Sequence, residues 1–520
     1  MKILVYSQIT AARIASSMGL PEYSYYFVLR DFLPVLQTLG EIVVVDEPEQ
    51  QVDPLYEAAR AAGERCVFLS FSPPHKTLTR LRCPTIPVFA WEFDSIPSES
   101  WLDEPQQDWR HVLRQCGQGI THSRMIVDAV RRELGDGFPI ISVPSPVWDK
   151  FAAFRQKWAG QLPNGCVTIK MASGVVVDTR DPALAPHIFG SAATARVVQA
   201  IREHEGAAAR ARASSAVTVP TENDGQSRYR ITRRYLGEWY LKVLQPLLPM
   251  LPKPDGAPLE IVVQDGDKPL EPRNMVEPPQ PEEKGLTPKM PDWQPGECEV
   301  QLSGVIFTAL FNPYDGRKNW ADMLTAFCAA FRDVPDATLV FKLGHHEYLS
   351  AMHDMLIWMA RMPRFQCRIV LLHGYLDGED FEALVQASAY AVNASHGEGQ
   401  CLPLMEFLSC GKPAVAPRHS AMLDYIDEQV AFVVDSWLDF TAWSHDPRLA
   451  YRTRRHQIDW ASLRDAYLNA YQCITTDPER YQRMATSAVE RMRGHCSREV
   501  ARGRIQALLS EEAVARASLA

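Results

Sequence analysis

Residues 393–417 read NASHGEGQCLPLMEFLSCGKPAVAP. The stretch opens on the end of an apolar run, Tyr390-Ala391-Val392, and breaks at Gly397 and Gly399. It resumes at Pro403 as a helix whose buried side is Leu404, Met405, Phe407 and Leu408. Cys410-Gly411 stops that helix where a C′ glycine belongs, and Pro413 to Ala416 follow as a short buried strand. A loop feeding a helix N-terminus offers unpaired N–H groups and a positive dipole end, which is an anion site. Pro403 suits the first helical turn, where a missing N–H costs nothing. Two carboxylates flank the site, Glu398 in the loop and Glu406 in the helix. Carboxylates repel phosphate, so beside an anion they suit hydroxyl groups. The arrangement fits a nucleotide-sugar diphosphate, with Glu406 on a ribose and Glu398 on a sugar ring. A surface loop with an ordinary solvated glutamate is the plainer alternative for such a pair alone.

The block resembles the E-x7-E signature of retaining GT-B glycosyltransferases, above all glycosyltransferase family 4, usually written EGFGLP-x-LEAMACG-x-PV. Here it stands as Glu398-Gly399-Gln400-Cys401-Leu402-Pro403-Leu404-Met405-Glu406, followed by Ser409-Cys410-Gly411-Lys412-Pro413. Gln400-Cys401 replaces the usual Phe-Gly. The resemblance implies that Gly399, Gln400, Cys401 and Leu402 meet donor phosphate largely through main-chain N–H groups. It covers most of Val305 to Leu509 and, more loosely, the first 150 residues.

A chain of 520 residues is too long for one ordinary core and suggests two large domains. The formal charge of −9 argues against nucleic acid as a partner. Eleven cysteines without a C-x-x-C suggest a reducing compartment and no structural zinc. Met1 to Tyr6 is too short for a signal-peptide core and continues as a strand, and no run approaches the roughly 20 apolar residues of a membrane span. The expectation is a cytoplasmic protein, with a peripheral place on the inner face of the membrane left open.

Residues 1–150 alternate strands and helices, which argues a parallel, doubly wound sheet. Strands are expected at Lys2–Tyr6, Glu41–Val45, Cys66–Phe71, Ile86–Ala90, Gly119–Thr121 and Pro139–Val143, with helices at Tyr23–Leu39, Tyr56–Ala62 and Met125–Leu134. The loop Ser7 to Pro21 carries Gly19 but no G-x-G-x-x-G; the resemblance puts it at an interdomain cleft. Phe89 to Asp94 leave a strand's carboxyl end, where α/β sheets bind ligands. The family often has a histidine there; Trp91 and Glu92 stand instead, and no histidine role carries over. In Thr121-His122-Ser123, Ser123 reads as an N-cap and His122 as an active-site contact. Gly19, Glu92 and His122 are the acceptor-side candidates.

At Ile141 to Pro146 the family normally crosses to its second domain; here residues 151–300 intervene as an insertion or linker. Ala207–Ser215 is small and basic, Thr221–Gln226 polar, and Pro269–Pro295 rich in proline and acid, a composition unable to form a core. Arg228–Leu244 is a basic, aromatic amphipathic helix for which a membrane surface and its own domain are equally open partners. Residues 301–475 repeat the doubly wound pattern. Strands are expected at Val305–Phe311, Thr338–Lys342, Arg368–Leu372, Tyr390–Asn393, Pro413–Ala416 and Ala431–Val434, with helices at Ala321–Phe331, Tyr348–Met362, Asp380–Ala387 and Leu404–Ser409. From Leu463 to Leu509 the pattern is helical, and the resemblance takes residues 476–520 back to brace the first domain. The fold class is α/β, a GT-B pair of Rossmann-like domains facing a cleft.

Asn312-Pro313-Tyr314-Asp315-Gly316-Arg317-Lys318-Asn319 follows the first strand of the second domain. Its two cations suit a departing diphosphate. The family's lysine matches Lys318; its arginine would fall near Asn312, and Arg317 is the substitute at hand. His373-Gly374-Tyr375-Leu376 resembles the turn whose backbone reads the nucleotide base. Asp377-Gly378-Glu379-Asp380 is better explained by helix capping than by a metal, and none is expected. Ser395-His396 either touch the sugar or cap the loop. The resemblance implies retention by front-face attack, with donor phosphate helping to deprotonate the acceptor hydroxyl. Glu398 would position the sugar, Glu406 the ribose, and Lys318 with Arg317 the phosphates. The expected activity is metal-independent, cofactor-free transfer from a nucleotide-sugar to a glycan or lipid-linked acceptor, as in cell-surface polysaccharide synthesis. Alternatives are a non-catalytic GT-B scaffold binding a partner glycosyltransferase or glycan, an epimerase, and a phosphorylase, whose pyridoxal-phosphate lysine has no evident place.

Overall fold

The computed structural model describes residues 1–9, 19, 22–158, 160–163, 166–190, 193–203, 290–376 and 378–510. Six parallel strands form the first sheet: β1 (Lys2–Ser7), β2 (Glu41–Val44), β3 (Cys66–Phe71), β4 (Thr85–Phe89), β5 (Gly119–Thr121) and β6 (Ile140–Ser142), in the order 2-1-3-4-5-6. The central strand β3, CVFLSF, is buried at every position, as a strand covered by helices on both faces must be. A helix the sequence pattern did not reveal, Trp109–Cys116, lies between β4 and β5. Its polar look hides Trp109, Val112 and Leu113 on one side, and Gly117 ends it at φ 72.

The second sheet has eight strands in the order 14-13-12-9-10-11-7-8. Its parallel part is β9 (Val305–Phe311), β10 (Ala337–Leu343), β11 (Arg368–Gly374), β12 (Tyr390–Val392), β13 (Ala414–Pro417) and β14 (Ala431–Val434). Two further strands come from the stretch expected as insertion. β7 (Cys166–Asp178) runs antiparallel beside β11, and β8 (Gly296–Ser303) antiparallel beside β7. The ends of 151–300 therefore extend the second sheet, and the separate unit is narrower, residues 195–289. Of that unit only 195–203 are described, as helix. Arg228–Leu244, Ala207–Ser215 and Thr221–Gln226 lie outside the described residues, as does Pro269–Pro295 up to Lys289.

The chain crosses between sheets at Val143 to Pro146 and continues through a turn of 3-10 helix, Trp148–Phe151. It returns through Arg498–Leu508, whose Ala501, Ile505 and Leu508 pack with Ile3, Val28 and Phe32 of the first core. The Arg504 guanidinium donates to the Ser142 carbonyl at 2.9 Å. A two-stranded ribbon, β15 (Ser436–Ala442) with β16 (Tyr451–Ile458), fills a stretch for which the sequence offered no pattern. It belongs to the second half yet grips the first. Asp94 accepts from the Arg454 Nε at 2.8 Å, Glu99 from Arg452 and Arg448 at 2.6 and 2.9 Å, and His445 stacks on His75 at 4.5 Å. Among the described residues no helix is long and apolar enough to cross a membrane.

Candidate functional site at the strand ends

The carboxyl ends of β9 and β12 bring Lys318 and Glu398 together. After β9 the chain turns at Asp315, which caps a short 3-10 turn by accepting from the Arg317 N–H, and this places Arg317 and Lys318 side by side. After β12, Asn393 and Ser395 begin the glycine loop. Glu398 is 3% exposed, and its Oε1 accepts from Lys318 Nζ at 2.6 Å, Ser395 Oγ at 2.6 Å and Asn393 Nδ2 at 3.1 Å. Its Oε2 faces Arg317 Nη1 at 3.4 Å. Burial alone would push this carboxyl up; Lys318 and Arg317 more than offset it and hold it down to about 2. Glu398 is thus a fixed carboxylate in a dry place. Its own N–H donates to Ser420 Oγ at 3.0 Å, and Ser420 stands at φ 48. Nothing in the sequence pointed to Ser420 or Asn393, because their role depends on a chain path the local pattern does not contain.

Arg317 reaches further than expected. It donates to Asp315 Oδ2 at 3.0 Å and to the Gly397 carbonyl at 2.9 Å, and its Nε lies 3.6 Å from Glu92 of the first half. Glu92 is pushed up by burial, with Arg317 pulling against it. Glu92 is thus brought next to Arg317 and the loop that carries Glu398. Gly397 and Gly399 are needed here for space. A Cβ on Gly397 would sit 2.9 Å from the Glu92 carbonyl oxygen, and one on Gly399 2.9 Å from the Ala90 Cβ.

The two unusual residues each have a physical account. Gln400 Oε1 accepts from the Ser145 N–H at 3.1 Å, tying the loop to the crossover, while Tyr425 donates to the Gln400 carbonyl. Cys401 takes the left-handed backbone itself, φ 59 and ψ 69, at the cap of the helix Leu402–Ser409. Asn393 Nδ2 lies 3.2 Å from its sulfur, and burial pushes its thiol up to about 12. Glu406, one turn into the helix, accepts from Lys150 Nζ at 2.7 Å, so the crossover also holds the second carboxylate.

The other candidates lie after strands of both sheets. Gly19, at φ 88, gives its carbonyl to Asn312 Nδ2 at 3.1 Å. Gly374 pairs with Gly174 of β7, Tyr375 is 65% exposed and Leu376 is buried, so the turn 374–376 is flanked by the added strand. His122 is buried at the end of β5, with Nδ1 2.8 Å from the Val143 carbonyl and Nε2 without a partner among the described residues; burial lowers it to about 4. Ser123 does occupy the cap position of Arg124–Leu134 but makes no side-chain cap bond; the Arg124 N–H donates instead to Asp424. His396 bonds to the β16 backbone through Nδ1 and so braces the loop. Glu379 and Asp380 lie in the first turn of Gly378–Ala387, with Asp377 outside the described residues. Among the described residues no cluster of His, Cys, Asp or Glu has the geometry to hold a metal.

Residues 304–442 match the family model described as Glycosyl transferases group 1, and the two-sheet architecture is that of a GT-B fold. No curated protein matches the chain. Among solved structures, a pneumococcal O-GlcNAc transferase GtfA in complex with UDP and GlcNAc is 16% identical over 41% of this chain, with a TM-score of 0.29. The match spans 37% of that protein's length. Anabaena Alr3699/HepE in complex with UDP and glucose is 12% identical, covers 98% of this chain and 100% of its own, and has a TM-score of 0.44. A glycosyltransferase from Rickettsia africae is 9% identical, covers 98% of this chain and 99% of its own, and has a TM-score of 0.46.

Proposed function

We propose that this chain, whose residues 304–442 match the model of group 1 glycosyl transferases, is a retaining, metal-independent enzyme that moves a sugar from a nucleotide-sugar to a glycan or lipid-linked acceptor. The observation that carries the reading is Glu398, buried, ionised and aligned by Lys318 at the foot of a glycine loop that feeds a helix N-terminus. A fixed carboxylate there orients sugar hydroxyls, and the loop N–H groups with Lys318 stabilise the charge that develops on the leaving diphosphate. In the proposed reaction the acceptor oxygen bonds to the anomeric carbon as the carbon–phosphate-oxygen bond breaks. The hydroxyl proton passes to the departing phosphate, so the protein needs no base of its own. Glu406 would meet the ribose, and the Gly374–Leu376 turn the base. The proposed setting is reducing and cytoplasmic, in keeping with eleven cysteines that form no C-x-x-C, with work on surface polysaccharide as the proposed role.

A second reading, a scaffold without catalysis, draws on the same cluster: Lys318 and Arg317 are engaged by carboxylates. Thermal shift against UDP-, GDP-, ADP- and dTDP-sugars with EDTA present separates the two. One nucleotide raising the melting temperature supports the enzyme, and transfer with the anomeric configuration followed by NMR completes the test. Silence at millimolar ligand favours the scaffold.

A further inference from the structure

Arg317 spends its donors on Asp315, Gly397 and Glu398 and faces Glu92; Lys318 is bonded to Glu398. A diphosphate leaving group carries more charge than these two committed cations answer. Asn312, on the next turn of chain, is neutral and bonded to Gly19.

A further cation stands one strand away. Lys342 lies near the carboxyl end of β10, paired in register with Leu310 of β9 and Leu372 of β11. Strand alternation sends Leu339, Phe341 and Leu343 to the core that holds Phe311 and Phe327. It sends Lys342 to the other face with Val340, Ile306, Val370 and Leu372, and by the same count Asn312 follows Leu310 on that face. Its two in-register neighbours, Leu310 and Leu372, are apolar. Lys342 is 9% exposed, its one hydrogen bond among the described residues goes to the adjacent Leu343 carbonyl at 3.1 Å, and no carboxylate there pairs with it. A buried ammonium without a counter-charge is costly, and a leucine or methionine would fill the position without that cost. Lys342 is one residue from the carboxyl end of β10, and its neighbouring strands run on from Leu310 to Asn312 and from Leu372 to Gly374, toward the strand ends where α/β sheets take ligands.

We infer that Lys342 is a phosphate-binding residue of the donor site, its ammonium taking an oxygen of the nucleoside diphosphate. The inference rests on the donor-site reading above. Burial lowers the Lys342 ammonium to about 8, so it is still charged at neutral pH and meets an anion as its missing partner. A nucleobase offers only neutral acceptors and leaves the charge unanswered.

The test is calorimetric titration of UDP, GDP, ADP and dTDP, each beside its phosphate-free nucleoside and inorganic pyrophosphate, into the full chain and Lys342→Met. The expected result is a diphosphate affinity about tenfold to a hundredfold weaker in the variant, with nucleoside affinity unchanged and the melting temperature not lowered. Lys342→Gln, of similar length and uncharged, gives the same comparison if the methionine variant folds poorly. Pyrophosphate losing affinity in step with the nucleotide confirms the phosphate as the ligand. Unchanged diphosphate affinity, or an equal loss for the nucleoside, overturns the assignment while leaving the donor site standing. A wild-type chain that binds no nucleoside diphosphate overturns the donor site and this inference together.

Discussion

Lys318 Nζ lies 2.6 Å from Glu398 Oε1, and that pair joins the ends of two strands eighty residues apart in sequence. Replacing Glu398 by Gln keeps the shape and removes the charge. Turnover is expected to fall by about a hundredfold or more, with donor binding retained within about tenfold. The stability consequence has a definite direction. Glu398 sits at about 2 against 4.5 in an open chain, so its contribution is whole above 4.5 and is lost as pH falls toward 2. Denaturant titrations should show wild type and Glu398→Gln converging over that interval, from a difference on the order of 3 kcal/mol.

Lys150 and Glu406 meet at 2.7 Å, but Lys150's side chain is 37% exposed. Such a pair contributes less than about 1 kcal/mol. Lys150→Ala should therefore leave the melting temperature nearly unmoved. On the proposed reading, in which Glu406 accepts from a ribose hydroxyl, Glu406→Ala should weaken nucleotide-sugar binding about tenfold by calorimetry. Unchanged affinity would remove Glu406 from the site.

Cys401 holds a backbone that costs a non-glycine residue about 1 kcal/mol. Cys401→Gly relieves that strain and loses a buried thiol, so its net effect on unfolding free energy should stay within about 1 kcal/mol. Cys401→Val keeps the strain, adds a second branch at Cβ and should cost about 2 kcal/mol or more.

Gly399→Ala would place its methyl 2.9 Å from the Ala90 Cβ and 3.1 Å from the Trp91 nitrogen. Overpacking of this kind costs about 1–3 kcal/mol and should also suppress donor binding, since the loop must move. Gly137→Ala meets nothing within 4 Å and serves as the neutral control.

The doubly wound halves were legible because fully buried strands such as β3, β10 and β11 are short apolar runs, and the strand–loop–helix order of residues 390–409 was legible because its residues are adjacent. β7 hid because it lies near the sheet edge, where exposed and buried residues mix along CVTIKMASGVVVD. The ribbon hid for the same reason: Trp437, Phe440 and Tyr451 are exposed and carry no inward-facing period. Lys342 inside a strand reads as a flaw until the neighbouring strands show it buried beside Leu310 and Leu372 with no carboxylate among the described residues to pair with. Gln400 looked like a departure from a motif; its bond to Ser145 is visible only once residues 255 apart in sequence are adjacent.

His75 and His445 stack between the halves, and burial lowers them to about 3 and about 4. Each is depressed below its ordinary 6.5, so their contribution is whole above that value and declines as pH falls toward 4. Amide exchange in Ser436–Ile458, corrected for intrinsic rate, should speed up from pH 7 to 4.5. His445→Phe should flatten that dependence.

The ribbon also changes the kinematics. A two-bodied enzyme joined only at Val143–Pro146 would swing freely about that strand of chain. Here the returning Arg498–Leu508 and the Arg454–Asp94 and Arg452–Glu99 bonds add two more fastenings. Rotation about the crossover must strain both at once, so the low-cost degrees of freedom shift from the bodies to their loops.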